Sequence, residues 1–476
     1  MDLKLSTGGD GPLQERVVAA LRAAIVAKRL LPGERLPSIR RLAAANRISA
    51  FTVVEAYDRL IAQGLIAARP KSGFFVAGRE PPLTLIERDP VSNADGAGLA
   101  DPTAVDPVWM MRQSLSLDDR VIHAACGWLP DSWLPEAGIR RALRGIAAMP
   151  AAQVLQYGIP LGYAPLRQQI RLRLAELEIA ATPDEILLTD GASQAIDLVC
   201  RHLLQAGDAV LVDDPGYFNY HAVLRAHRVR LLPVPITREG PDLAALESLA
   251  AAEKPKLYLA NPALQNPTGL SLTPGAAHKL LNLAQAHDFR IVEDDVFRDF
   301  QDAPTPRLAA LDGLDRVLHL GGFSKTISAA LRVGFIAGPR ETIRHLADLK
   351  LATTFGNNQI SAQVMHRLME DGSYRKHVAG LRAKLRKATP PLRRRLEALG
   401  LALWSEEEGG MFLWMELPKS APDAVALAAR AIERGIVLAP GTVFSPSRRW
   451  DRFLRFNIAQ CTGPRLTEFL KTAIRA

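Results

Sequence analysis

At 476 residues the chain is too long for one ordinary domain, and two or three are expected. Hydrophobic residues make up 48% and charged residues 23%, the balance of a soluble globular protein with ample core, and no apolar run approaches a membrane span. The net charge of +9 is uneven: residues 1–78 hold 12 Lys and Arg against 6 Asp and Glu, which points to a nucleic-acid-binding end.

The opening residues, MDLKLSTGGDGPLQER, lack an apolar signal core. Leu13, Val17, Leu21 and Ile25 recur every four positions and predict an amphipathic helix that stops near Arg29-Leu30. Pro32-Gly33 turns the chain, and Ser38 is placed to cap a second helix, IRRLAAAN. Ser49 can cap a third, FTVVEAYDRLIAQ, closed by Gly64. Two short β-like runs, Leu65-Ile66-Ala67 and Phe74-Phe75-Val76, flank a basic turn at Arg69-Pro70-Lys71-Ser72-Gly73. Two short helices with a tight connection and then a hairpin form either a winged helix-turn-helix or a generic three-helix cap. In the first case the third helix enters the major groove and Lys71 approaches phosphate.

The run PGERLPSIRRLAAANRISAFTVVEAYDRLIAQGLIAARPKSGFFVA resembles the GntR-family DNA-binding domain along its whole length. The resemblance implies that Arg40 reaches a base and that Ser49, Thr52, Lys71 and Gly73 lie against DNA. One position departs from that family: an arginine usually follows the serine that opens the recognition helix, and this chain has Ala50. Residues 79–119 then read as a linker, with Pro81, Pro82, Pro90, Pro102 and Pro107 among Asp, Gly, Asn and Ala. Trp109-Met110-Met111 is a candidate anchor onto a neighbouring domain.

From residue 120 onwards strand-like runs alternate with helical ones: ILLTD, AVLVDD, KLYLAN, FRIVEDD and VLHLGG. Such alternation implies an α/β domain with a mainly parallel sheet and its ligand at the strands' C-terminal ends. Gly191-Ala192-Ser193-Gln194, at a strand-to-helix junction, serves as a capping turn or as an anion site. Tyr217 follows a Pro-Gly loop and can stack on a ring or simply pack. Asn266, in LQNPTG, can donate to a phenolate. Asp294, beside Asp295, can hold a pyridinium nitrogen protonated or cap a helix. In GGFSKTISAALRVGFIAG, Lys325 lacks an adjacent carboxylate, and Arg332 follows it by seven positions. Lys325 is either a surface lysine on a loop before a strand or a desolvated one, whose lowered pKa frees its amine for a Schiff base while the arginine fork suits a phosphate. Cys126, Cys200 and Cys461 are odd in number and far apart, which fits reduced thiols in a cytoplasmic protein. The histidines show no ligand-like spacing, so no metal site is expected.

LQNPTG, VEDD and FSK-x6-R, in this order, resemble the fold-type I pyridoxal-phosphate enzymes of the aspartate aminotransferase superfamily over about residues 120–476. The resemblance implies a mainly parallel sheet with a smaller α+β subdomain and pyridoxal 5'-phosphate as cofactor. It implies that Lys325 forms the Schiff base, Asp294 pairs with the ring nitrogen, Asn266 meets the phenolic oxygen and Tyr217 stacks on the ring. Ala192, Ser193 and Arg332 would hold the phosphate, and Ser324 would add to the cofactor site. Tyr157 would reach the phosphate of a second copy, which implies a homodimer, and Arg455 would grip a ligand carboxylate. Two positions depart from it: Phe297 stands where many relatives have a tyrosine, and Gly322 where a serine is common.

A winged helix, a linker and an aminotransferase-like domain together resemble the MocR subfamily of GntR regulators. The expectation is a cytoplasmic transcription factor that binds DNA through residues 1–78. Residues 120–476 would sense an amino-acid- or amine-like effector, or pyridoxal phosphate itself. The alternative is a working aminotransferase with an accessory DNA-binding domain.

Overall fold

The computed structural model describes residues 12–27, 29–69, 72–77, 107–115, 120–302, 305–406 and 409–474. The chain divides into two compact units, Met1–Leu99 and Ala100–Ala476. Among the described residues no helix is long and apolar enough to cross a membrane.

The first unit contains α1 (Leu13–Val26), α2 (Ile39–Asn46), α3 (Ala50–Ala62), β1 (Ile66–Arg69) and β2 (Gly73–Val76). α1 ends at Val26, short of the expected Arg29-Leu30. Ser38 caps α2 by accepting from the Arg41 N–H at 3.3 Å, and Ser49 caps α3 by accepting from the Thr52 N–H at 3.0 Å. One stripe of α3 (Val53, Ala56, Tyr57 and Leu60) is buried with Val17 and Leu21 of α1. The Tyr57 hydroxyl donates to Pro37 O at 2.7 Å, which ties α3 to the turn before α2. β1 and β2 pair antiparallel from Ile66–Val76 to Arg69–Gly73. Residues 33–36 add to this wing through Gly33 N–H to Val76 O (3.0 Å) and Leu36 N–H to Phe74 O (2.8 Å).

The second unit begins, among its described residues, with α4 (Pro107–Ser114). This helix lies within the interval expected to be linker, and apolar side chains account for it. Met110 is fully buried in an aromatic cluster with Phe218, Trp414 and Phe444, and Trp109 and Met111 pack against it.

An eight-stranded sheet follows: β3 (Ile186–Thr189), β4 (Ala209–Asp214), β5 (Arg230–Thr237), β6 (Gly240–Pro241), β7 (Leu257–Ala260), β8 (Arg290–Asp294), β9 (Val317–Gly322) and β10 (Gly334–Ala337). Its spatial order is β3-β10-β9-β8-β7-β4-β5-β6. The pairs from β9 through β5 are parallel, whereas β10 runs antiparallel to both β3 and β9. Because β10 reverses, β3 points the same way as β9, and the C-terminal ends of β3, β4, β7, β8 and β9 share one edge. Both faces are covered: in β8, Ile291 belongs to the core on one side and Val292 to the core on the other.

A smaller antiparallel sheet completes the unit, with β11 (Ala402–Leu403), β12 (Phe412–Glu416), β13 (Ala439–Pro440) and β14 (Phe453–Asn457) in the order β11-β12-β14-β13. It packs with the helices Ser373–Glu397, Ala424–Ile432 and Arg465–Ala473 around a third core. All three cysteines are free and buried.

Candidate functional site

β3 ends at Thr189, and the helix Ala192–Leu203 starts after Gly191, whose φ of +85° suits glycine. The start of β10 presses against this turn. A Cβ on Gly334 would lie 2.8 Å from the Gly191 carbonyl carbon and 3.1 Å from Ala192 N, so the close backbone approach requires glycine. Arg332, at φ +50°, turns its guanidinium back to the same place and donates from Nη2 to Asp190 O at 3.1 Å. A Cβ on Gly191 would fall 2.6 Å from that Nη2. Ser193 Oγ, in the helix's first turn, accepts from Asn219 Nδ2 at 3.3 Å. A helix N-terminus facing an exposed arginine fork is a cradle that fits a phosphate.

Asp294 closes β8 and is buried. Tyr220 donates its hydroxyl to Asp294 Oδ2 at 2.5 Å, and the Val296 N–H reaches Oδ1 at 3.1 Å. Burial pushes this carboxyl up, against the opposing pull of those hydrogen bonds and of Lys325. Asn261 links two strand ends: its Nδ2 donates to Asp294 O at 2.7 Å, and its Oδ1 accepts from the Asn266 N–H at 2.9 Å. Tyr217 lies at the start of the helix Phe218–Ala226, its ring centroid 5.2 Å from that of Tyr220.

Lys325 follows β9 and Ser324, and both residues keep part of their surface exposed. Burial of its ammonium, then the Arg455 and Arg332 charges, lower the Lys325 pKa to about 8 against the opposing pull of Asp294. The segment that follows α4 passes close by, so that a Cβ on Gly127 would meet Lys325 Nζ at 3.3 Å. Arg455, in β14, is 1% exposed. Its Nη1 donates to Asn266 Oδ1 at 2.6 Å and its Nη2 to Ala125 O at 2.5 Å, while Nε has no partner among the described residues. The rings of Phe412, Phe444 and Phe218 lie 4.1, 4.7 and 5.8 Å from its guanidinium. Burial lowers its pKa to about 10.

Lys325, Asp294, Asn266, Tyr217, Arg332 and Arg455 thus converge on one edge of the large sheet. Tyr157 joins none of these hydrogen bonds. It is 83% exposed, with its ring 4.9 Å from Phe355, and the turn after Phe355 returns to Asp190 through the Asn358 N–H at 3.2 Å. Phe297 is buried against Phe412 at 5.7 Å and brings no hydroxyl. Sequence reasoning missed Tyr220, Asn261 and the Ala125–Gly127 segment. Tyr220 could have been found, since it lies one helical turn beyond Tyr217. The others depend on contacts between distant stretches of chain.

In the first unit Arg40 is exposed on α2. The Ser49 and Thr52 hydroxyls bond each other at 2.8 Å at the start of α3. Gly73 opens β2, and Lys71 lies outside the described residues.

The family model for aminotransferase class I and II matches residues 134–472, and that for bacterial regulatory proteins of the gntR family matches residues 13–76. The uncharacterized HTH-type transcriptional regulator YdcR of Escherichia coli is 32% identical over 467 residues, which cover 96% of this chain and 97% of that protein. The chain belongs to the MocR-type GntR regulators. Its large unit is similar to enzymes as well. The 2-aminoadipate transaminase of Thermus thermophilus is 33% identical over 77% of this MocR-type chain and 93% of its own. Among solved structures, Pyrococcus horikoshii kynurenine aminotransferase in complex with PMP matches at 28% identity and TM-score 0.69, over 78% of this chain and 94% of that one. Thermus thermophilus LysN, an alpha-aminoadipate aminotransferase complexed with N-(5'-phosphopyridoxyl)-L-leucine, matches at 30% identity and TM-score 0.68, over 77% and 92%. The family and these neighbours indicate pyridoxal phosphate as the cofactor of this MocR-type regulator, and the Gly191–Arg332 cradle fits its phosphate.

Proposed function

We propose that this chain is a cytoplasmic, homodimeric regulator that binds promoter DNA through residues 1–78. In this reading residues 79–119, whose α4 already packs into the second unit, link that head to an effector domain, 120–476, which takes an amino-acid- or amine-like compound, or pyridoxal phosphate alone. The observation that carries it is the lowered Lys325 amine, set among Asp294, Arg332 and Arg455 in a chain that also bears a gntR head.

When bound, pyridoxal phosphate supplies an aldehyde carbon that accepts amines and a ring that withdraws electrons. The chain's own residues do the remaining work. Ala192, Ser193, Ser324 and Arg332 hold the phosphate, and Tyr157 of a second copy adds to it. Asp294, fixed by Tyr220, holds a proton on the ring nitrogen. Asn266, its Oδ1 taken by Arg455, presents its amide N–H groups to the phenolic oxygen. Tyr217 would cover the ring, and Lys325 would hold its amine at the aldehyde carbon, in the place where an effector amine competes. Arg455 receives a carboxylate if the effector carries one. On the DNA side, Arg40 reaches a base while Ser49, Thr52, Lys71 and Gly73 lie against the duplex. An effector changes DNA binding only by binding two conformations with different affinity.

The intact lysine, aspartate and arginine also suit a transaminase, whereas Phe297 removes a hydroxyl that turnover would use. A salt titration of DNA retention, run beside a multiple-turnover assay with an amino donor and a keto acid, separates the two. A regulator shows steep salt dependence and at most a half-reaction. Sustained turnover without specific DNA retention would overturn the proposal.

A further inference from the structure

The first turn of α3 carries an apolar ridge where a DNA-reading helix ordinarily presents polar groups. Phe51 is 70% exposed, Ala50 before it is exposed, and Val54, three positions on and hence on the same ridge, is half-buried. The neighbouring polar groups are engaged elsewhere. Ser49 Oγ accepts from the Thr52 N–H and bonds the Thr52 hydroxyl. Further along the helix Arg59 pairs with Glu15 at 3.7 Å, and Glu55 faces the Gln14 amide, whose nitrogen reaches Glu55 Oε2 when the amide is turned over, so these groups are committed to α1. The buried stripe of α3 is complete without Phe51.

We propose that Phe51, backed by Ala50 and Val54, reads thymine C5-methyl groups in the major groove, an inference that rests on the DNA-binding reading above. The N-terminal residues of a recognition helix meet base edges, and the thymine methyl is the apolar feature displayed there, suited to a phenyl ring. The arginine usual at residue 50 in this family would add a charged contact, and Ala50 supplies none. Beside the base contact of Arg40, sequence choice by this chain therefore leans on methyl recognition, with phosphate contacts setting overall affinity.

The test selects duplexes from a random-sequence library with the full-length protein, then replaces each thymine of the selected half-site with deoxyuridine. Wild type should bind about fourfold more weakly for each contacted methyl removed, the effect expected for burying one such group. Phe51→Ala should bind the thymine and deoxyuridine duplexes equally, with an unchanged salt slope and an unchanged melting temperature, since the ring lies outside the core. Equal wild-type affinity for both duplexes, or full discrimination retained by Phe51→Ala, would overturn the assignment. A wild-type protein that selects no duplex defeats the regulator reading together with this one. A selected duplex bound without regard to its methyls defeats this one alone.

Discussion

Lys325, in the loop after β9, and Lys350, in the helix Arg340–Thr354, both have pKa values lowered to about 8 by burial. Their surroundings differ. Lys350 is fully buried and donates to Leu188 O at 2.9 Å and to Asn357 Oδ1 at 3.3 Å, tying β3 to the turn that follows its own helix. Lys325 keeps some open surface, donates no hydrogen bond among the described residues, and lies among Arg455, Arg332 and Asp294. A lowered pKa is therefore no mark of a nucleophile by itself. The distinguishing features are an amine without a carbonyl partner, an opening beside it, and a carboxylate and two guanidinium groups arranged around it.

The largest effect expected from this contrast is spectroscopic. Lys325→Ala, incubated with pyridoxal phosphate, should lose the visible absorption band completely, while Lys350→Met should keep it. The opposite pattern would exchange the roles assigned to the two residues.

The next is a stability effect with a defined sign. Between about 8 and the ordinary lysine value of 10.5, unfolded chain holds a proton on Lys350 that folded chain has released. Stability therefore rises with pH across that window, and the cost of the buried charge is fully present below it. Chemical denaturation at both ends of the window should show wild type gaining about 3 kcal/mol more than Lys350→Met. Equal gains would mean that Lys350 is charged without penalty.

The smallest concerns the group opposite Lys325. Tyr220→Phe removes the 2.5 Å hydrogen bond from a carboxyl that burial already raises, so less of Asp294 is ionised near neutrality. Cofactor affinity, followed by absorbance, should fall about tenfold, the effect of losing one hydrogen bond to a charged group, and fall further at lower pH. An unchanged affinity would remove Tyr220 from the site.

Much of this site is legible in the sequence because a parallel sheet delivers its functional residues at fixed places. Asp294 closes β8, Lys325 follows β9 and Gly191 follows β3, each recognisable from a strand-like run and the residue types after it. The caps at Ser38 and Ser49 are legible for a similar reason, since capping is a local bond across three positions. The reversal of β10 is not, because VGFIA reads as a buried strand of either direction. Nor is the company of Arg455: Asn266 lies 189 positions away and Ala125 lies 330. No local period encodes contacts of that span. α4 escapes for another reason, since its proline-rich approach reads as linker while Met110 finds its slot only in the folded unit.

That slot bears on where the chain can be cut. A fragment begun at residue 120 would leave behind α4 and strip Met110 from its place beside Phe218, Trp414 and Phe444. Two of those rings flank the Arg455 guanidinium, so the severed body would be solvated at the back wall of its own pocket. Scissors belong on the N-terminal side of Pro107.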